Sequence, residues 1–270
     1  MSIKTPAEIA QTTLEIGTNK IQATRHRRRQ LAVQSILAGA FIALGGTLSL
    51  IVGYGFPGLT AENPAIQKLL SGCMFPIGLI LVVVLGAELF TGNNALLIPA
   101  YMQRRYSIAD VLVNWGVVYI GNFIGAIVFT YFMVYLCGLT SSQPYHDAIT
   151  GIASAKVSMP WLTVMLKGIG ANWCVCLAVW LALSGHTLPA KALGCWLPVM
   201  TFVALGYEHS IANMFFIPAG MFEGAGITVT QAVTDNLIPA TIGNIIGGAL
   251  LVGCVHTYAH MRSDCCDKKN

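Results

Sequence analysis

The chain has 270 residues, 55% of them hydrophobic and 10% charged, whereas a soluble domain carries about 25% charged residues. That composition argues against an ordinary cytosolic globule and for a membrane protein. Half of the charged residues lie in the first 30 and the last nine positions. The body between them can hold about six spans of ~20 residues, with nothing left over for a soluble catalytic domain.

From the N-terminus, Thr5-Pro6-Ala7-Glu8 reads as a capping box with proline at the first helical position. Ala10, Leu14, Gly17 and Ile21 then recur at helical spacing. The pattern predicts a short amphipathic helix within residues 1–30, lying either on the bilayer or against the bundle. The basic cluster Arg25, Arg27, Arg28 and Arg29 follows mostly polar residues, unlike a cleavable signal, so the N-terminus is expected to be retained. Six of the eight cysteines sit in apolar segments and read as small hydrophobes. Cys265-Cys266 in the tail has lipidation and metal binding as alternatives but reads better as a plain thiol pair, and no metal-spaced histidine cluster is found.

Uninterrupted apolar segments run from Leu31 to Gly53, Ile108 to Gly138, Trp161 to Ser184 and Leu237 to His260. Two further stretches, Leu69 to Met102 and Leu188 to Phe222, are too long for one straight helix. Polar residues break them at Glu88 to Asn94 and Tyr207 to Asn213. Asn63-Pro64-Ala65 lies apart from both breaks and reads as a turn or helix start. Counting each long stretch once puts 12 of the 15 lysines and arginines on one side. By the positive-inside rule both termini are then cytoplasmic, around a transmembrane domain of residues 31–261 with a tail at 262–270.

The two breaks repeat each other. Gly86-Ala-Glu88-Leu-Phe-Thr-Gly-Asn93 matches Gly206-Tyr-Glu208-His-Ser-Ile-Ala-Asn213, and Ile98-Pro99-Ala100 matches Ile217-Pro218-Ala219. Asn114 and Ile120-Gly-Asn-Phe-Ile-Gly125 match Asn236 and Ile242-Gly-Asn-Ile-Ile-Gly247. With three spans in each half, residues 31–138 and 159–261, the second half enters the bilayer from the opposite side. The predicted fold is all-α, with six transmembrane helices in an inverted 3+3 repeat and helices 2 and 5 broken. Broken helices at equivalent positions meet near the midplane, where irregular backbone must be buried or line a cavity.

Glu88, Glu208 and His209 are ionisable groups placed inside the membrane, where each costs about 3 kcal/mol or more unless paired. Glu88 and Glu208 occupy equivalent positions and read mainly as braces for the irregular backbone. Gly121-Asn122 and Gly243-Asn244 read as helix-packing motifs. His209 faces Leu89 in the repeat, and an asymmetric residue in a symmetric frame points to a task. Lys167 is a charge inside the fourth span. It has three open readings: snorkelling, a subunit interface, or added positive potential. No phosphate loop, zinc motif or catalytic triad is present, and topology already explains the basic residues, so neither an enzyme, nor a cofactor, nor nucleic-acid binding is expected.

At Gly86-Ala-Glu-Leu-Phe-Thr-Gly92 and Gly206-Tyr-Glu-His-Ser-Ile-Ala-Asn-Met214 the chain resembles the formate/nitrite transporter family. Asn172, Ala178-Val179-Trp180 and Asp235-Asn-Leu-Ile-Pro239 extend the likeness over essentially the whole chain. The resemblance implies an aquaporin-like protomer, a homopentamer with one pore per subunit, and transport of small monovalent anions such as formate, nitrite, hydrosulfide, acetate or lactate. By position it makes His209 the central pore histidine and Thr91 its hydroxyl partner. It places Lys156, Glu208, Asn172 and Asn213 in the surrounding polar network. Phe75, Leu79, Leu89, Phe90, Val175 and Phe202 fall on its apolar constrictions.

A neutral acid crosses such constrictions far more cheaply than its anion, because desolvating the charge dominates the barrier. Proton-coupled passage is therefore expected, with His209 donating directly, donating through water, or only lending a hydrogen bond. The competing classes are a water or glycerol channel, whose flux ignores pH, and an intramembrane enzyme built on Glu88, Glu208 and His209.

Overall fold

A computed structural model describes residues 3–261; the tail at 262–270, with Cys265-Cys266, lies outside them. Every regular element among the described residues is a helix. The first, α1 (Pro6–His26), starts as its sequence dictates. Thr5 Oγ1 accepts the Glu8 N–H, and the Glu8 carboxylate accepts the Thr5 N–H at 2.7 Å. Those bonds from Thr5 hold the Glu8 carboxyl below the ordinary glutamate value. A depressed folded value means that the cap contributes above the unfolded pKa and is lost as pH falls through the folded one. Ile9, Ala10, Leu14, Gly17 and Ile21 are buried, so of the two placements open to this helix it takes the one against the bundle.

Five helices are long and apolar enough to cross a membrane: Arg28–Tyr54, Pro64–Leu85, Ile108–Tyr135, Trp161–Ser184 and Val229–His260. They define a multi-pass membrane protein. In chain order the helices after α1 are α2 (Arg28–Tyr54), α3 (Pro57–Glu62), α4 (Pro64–Met74), α5 (Ile77–Leu85), α6 (Phe90–Leu96) and α7 (Ile98–Met102). There follow α8 (Ile108–Phe129), prolonged by π-helical turns over Thr130–Tyr135, then α9 (Tyr145–Ser158), α10 (Trp161–Ser184), α11 (Leu188–Ala204) and α12 (Ser210–Phe222). The last span, Val229–His260, closes the bundle.

Some boundaries differ from the apolar pattern. The second apolar stretch begins at Pro64, not Leu69, because Pro64 occupies the first turn of its helix. The last span starts at Val229, not Leu237, because Thr228 and Gln231 form a capping box that starts the helix among polar residues. Helix α9 was not legible at all, since it buries only Ile149 and Ala153 and shows no continuous apolar stripe.

At both polar interruptions a glycine in the left-handed region ends a helix: Gly86 at φ 71° after α5, and Gly206 at φ 67° after α11. Only glycine adopts this cap without a steric penalty. The chain is then extended through Leu89 and His209, and helices restart at Phe90 and Ser210. Between helices the backbones approach closely. A Cβ on Gly125 would collide with the Ile36 carbonyl and one on Gly247 with that of Ile169, as small-residue packing requires.

Gly206→Ala should destabilise the fold by about 1 kcal/mol, since an L-residue is strained at that φ. Gly58→Ala, where an added Cβ meets nothing within 4 Å, should be neutral. Thermal unfolding in detergent distinguishes them; equal midpoints would contradict the assignment of the helix stop to the αL glycine.

Candidate functional site

Each interruption frees backbone groups that an intact helix would bond, and one asparagine gathers them. Asn122 of α8 accepts the Phe90 N–H at 2.9 Å through Oδ1 and donates Nδ2–H to the carbonyls of Glu88 and Ser35, both at 2.8 Å. Asn244 of the last span does the same at the other interruption. It accepts the Ser210 N–H at 2.8 Å and donates to the carbonyls of Glu208 at 3.0 Å and Gly168 at 2.8 Å. The Gly-Asn motifs therefore do more than pack helices. They replace the missing backbone ladder with side-chain bonds.

The glutamates are held in matching fashion. Glu88 accepts Asn93 Nδ2–H at 2.8 Å and pairs with Lys20 of α1 at 2.7 Å, while Asn93 also donates to Asn114. Glu208 accepts Asn213 Nδ2–H at 2.7 Å and pairs with Lys156 of α9 at 2.9 and 3.1 Å, while Asn213 also donates to Asn236. Both carboxylates and both lysines are largely buried, with side-chain exposures of 4–15%, so each pair neutralises a charge that would otherwise be left in a low-dielectric setting. Lys156 also sits 5.6 Å from the centre of the Phe216 ring.

Two cavities flank the meeting point. One, about 190 Å³, is bordered by Phe75, Lys156, Phe202, Glu208, His209 and Asn213. The other, about 410 Å³, is bordered by Lys20, Gln34, Leu79, Glu88, Leu89 and Asn93. Each carries one lysine–glutamate pair. Between them His209 Nε2 lies 3.0 Å from Thr91 Oγ1, both residues buried. His209 caps α12: its Nδ1 accepts the Ala212 N–H at 3.0 Å. A nitrogen that accepts carries no proton, so the neutral ring bears its hydrogen on Nε2 and donates it to Thr91. The Thr91 hydroxyl hydrogen is left available. Phe202 stacks on His209 at 5.7 Å between ring centres and meets Phe75 edge-on at 5.8 Å.

Most of the residues singled out in the sequence converge here, with differences. Asn172 stands behind the His209–Thr91 contact, donating to the carbonyls of Thr91 at 3.2 Å and Asn244 at 2.6 Å and to Asn94 Oδ1 at 3.0 Å. Two of these three bonds go to backbone carbonyls. Phe90 turns toward Tyr119, 4.9 Å between ring centres, and with Val175 is buried but borders neither cavity. The Lys167 ammonium lies 3.5 Å from Met159 Sδ, and its carbonyl receives the Glu208 N–H at 3.4 Å. Its backbone serves the site in the way that the Gln34 carbonyl serves Glu88. Lys20 was missed because it lies in the amphipathic helix outside the repeat. Asn93, Asn114 and Asn236 were present in the matched motifs and became legible as partners only once the glutamates had positions.

The doubled polar site thus lies between two cavities, in a chain whose apolar helices are long enough to cross a membrane. The formate/nitrite transporter family model matches residues 7–258, and the chain belongs to that family. It is 42% identical over 264 residues to the uncharacterized transporter YrhG of Bacillus subtilis, covering 98% of this chain and 96% of that protein. It is 38% identical to the formate channel FocA of Escherichia coli strain K12, over 96% of this chain and 95% of that one. Among solved structures it matches a pentameric formate channel with formate bound, with TM-score 0.75 and 29% identity, covering 87% of this chain and 98% of that chain.

Lys156→Met leaves the Glu208 carboxylate buried without a cation and should lower stability by about 3–5 kcal/mol. The double variant Lys156→Met/Glu208→Gln should recover much of the loss. Thermal unfolding of the two, side by side, checks this; a double variant no more stable than the single one would show that the pair is not what holds Glu208.

Proposed function

We propose that the protein carries small monovalent weak-acid anions, formate above all, across the cell membrane together with a proton. Nitrite, hydrosulfide, acetate and lactate would use the same path. The observation that carries the reading is the buried His209–Thr91 contact between two cavities, one bordered by Phe75, Phe202 and Lys156 and the other by Leu79, Leu89 and Lys20.

The architecture behind it is six spans, with α4 to α7 and α11 to α12 counted as broken helices 2 and 5, arranged as an inverted 3+3 repeat over residues 31–138 and 159–261. Its support is the one-for-one recurrence of bonds around Asn122 and Asn244, Glu88 and Glu208, and Lys20 and Lys156. The last pair adds α1 and α9 to the repeat as matching helices that deliver a lysine to each cavity. The distribution of Lys and Arg supports cytoplasmic termini. The pentameric state named for the matched formate channel supports a homopentamer in the bilayer.

The permeation steps follow from charge. Lys156 spends two contacts on Glu208, and the third ammonium hydrogen can meet an incoming anion. Phe75 and Phe202 toward one cavity and Leu79 and Leu89 toward the other form the narrowing that the anion cannot cross while charged, with Phe90 and Val175 packed behind it. At pH 7 an acid of pKa about 4 is neutral only about one time in a thousand, so a place that receives the anion and its proton together raises the flux. Thr91 offers its free hydroxyl hydrogen to the anion. His209 cannot become doubly protonated without giving up the Ala212 cap, so it lends polarisation through Nε2–H while the proton arrives with water or substrate. Asn172 and Asn213 hold Thr91 and Glu208 in place.

In proteoliposomes, labelled formate uptake should rise as external pH falls, and one competing anion should dominate. His209→Asn, whose amide oxygen can still cap α12, should keep the fold and lose about tenfold or more in uptake, in keeping with loss of a positioned polar group. Swelling in glycerol with no uptake of any acid would instead make this a neutral-solute channel.

A further inference from the structure

A third cavity lies away from the transport path. It measures about 300 Å³, within the range of small-molecule sites, and is formed between the first turns of α1, the turn after α7 and the end of the last span. Its walls are Ala7, Gln11 and Leu14, then Gln103 and Arg105, then His260 and Met261. Among the described residues no carboxylate borders it. Glu8 is engaged by Thr5, and Glu15 receives Gln11 Nε2–H at 3.5 Å. Among the described residues Arg105 has no ion pair and no side-chain hydrogen bond, in contrast to Arg25, which holds Asp110 at 2.7 Å.

The arginine is delivered by an unusual turn. Arg104 has φ 55° and is the single non-glycine residue with positive φ among those described. The Arg104 and Arg105 N–H groups close the end of α7 on the carbonyls of Tyr101 and Ala100, at 2.9 and 3.0 Å. Glycine is the usual occupant of such a helix stop, so the strain of a left-handed arginine is retained where it sets the direction of Arg105. His260 is joined by His256, 5.7 Å away between ring centres, whose ring lies tilted against Trp180 at 4.5 Å between centres. Helix C-termini favour cations nearby, and that accounts for basic residues being here. It does not account for a cavity that gathers a guanidinium, an imidazole and two carboxamides from three separate elements, beside the positive end of α1.

From this geometry we infer that the cavity is a binding site for a phosphate-bearing anion distinct from the transported substrate. A guanidinium meets phosphate through two parallel hydrogen bonds. The carboxamides of Gln11 and Gln103 and the imidazole of His260 supply further donors, and the volume suits a small phosphate monoester or the headgroup of a phospholipid. Bound there, the ligand bridges α1 to the last span. The assignment is independent of what the central path carries.

The test is calorimetric titration of the full-length protein in uncharged detergent with inorganic phosphate and with glycerol 3-phosphate, at ionic strength balanced by chloride. Saturable binding weakened tenfold or more by Arg105→Gln and several-fold by His260→Gln is expected, with Arg29→Gln, an exposed arginine outside the cavity, unchanged. Thermal stabilisation in phosphatidylglycerol nanodiscs over phosphatidylcholine ones, lost in Arg105→Gln and without binding of the free phosphates, would support the site and identify the source as a lipid headgroup. Absence of binding or stabilisation by every phosphate probe, or an equal loss in Arg29→Gln and Arg105→Gln, would overturn the inference.

Discussion

An interrupted helix in a membrane interior leaves backbone N–H and C=O groups with no water to receive them, and each unpaired group costs several kcal/mol. The rest of this structure depends on how that cost is met. Asn122 and Asn244 each satisfy two backbone groups at an interruption and a third on a neighbouring helix. Because those groups are bonded, the chain can stay extended at Leu89 and His209, and the two side chains can sit between the cavities. The glutamates follow from the same need: their backbone anchors the turn, and their charge then demands Lys20 and Lys156.

The proposed function draws on a position where the two halves differ. Leu89 closes its side with an apolar side chain, whereas the matching His209 supplies a helix cap through one nitrogen and a hydrogen bond through the other. A ring tied at both nitrogens is a fixed dipole rather than a free acid. That favours passage of an anion neutralised on arrival over transfer from a standing imidazolium. On the proposed reading the site separates two tasks, with lysines gathering the anion and the apolar narrowing rejecting it until it is neutral.

Much of the frame was legible in the sequence because its signals are local and repeated. The G-x-E-x4-N motif appears twice because a left-handed glycine, a braced glutamate and a bracing asparagine are needed at each interruption. The capping box at Thr5 read correctly for the same reason, as all its bonds lie within four residues. What was not legible depends on distance. Lys20 is 68 residues from its glutamate, α9 carries too few buried positions to show a stripe, and the inward or outward direction of Phe90 and Val175 is decided by neighbours on other helices. Asn172 was legible as a polar residue of the fourth span, and geometry sets it behind the His209–Thr91 contact, holding the Thr91 carbonyl.

The most direct measurement is of the charge that crosses with each anion. Proteoliposomes loaded with a pH-sensitive dye would be given a formate gradient, with the membrane potential clamped at several values by potassium and valinomycin. The account predicts one proton entering per formate and a flux indifferent to the clamped potential. A formate flux that scales with the potential and leaves the internal pH unchanged would mean that the bare anion crosses the His209–Thr91 narrowing, and the account would be wrong.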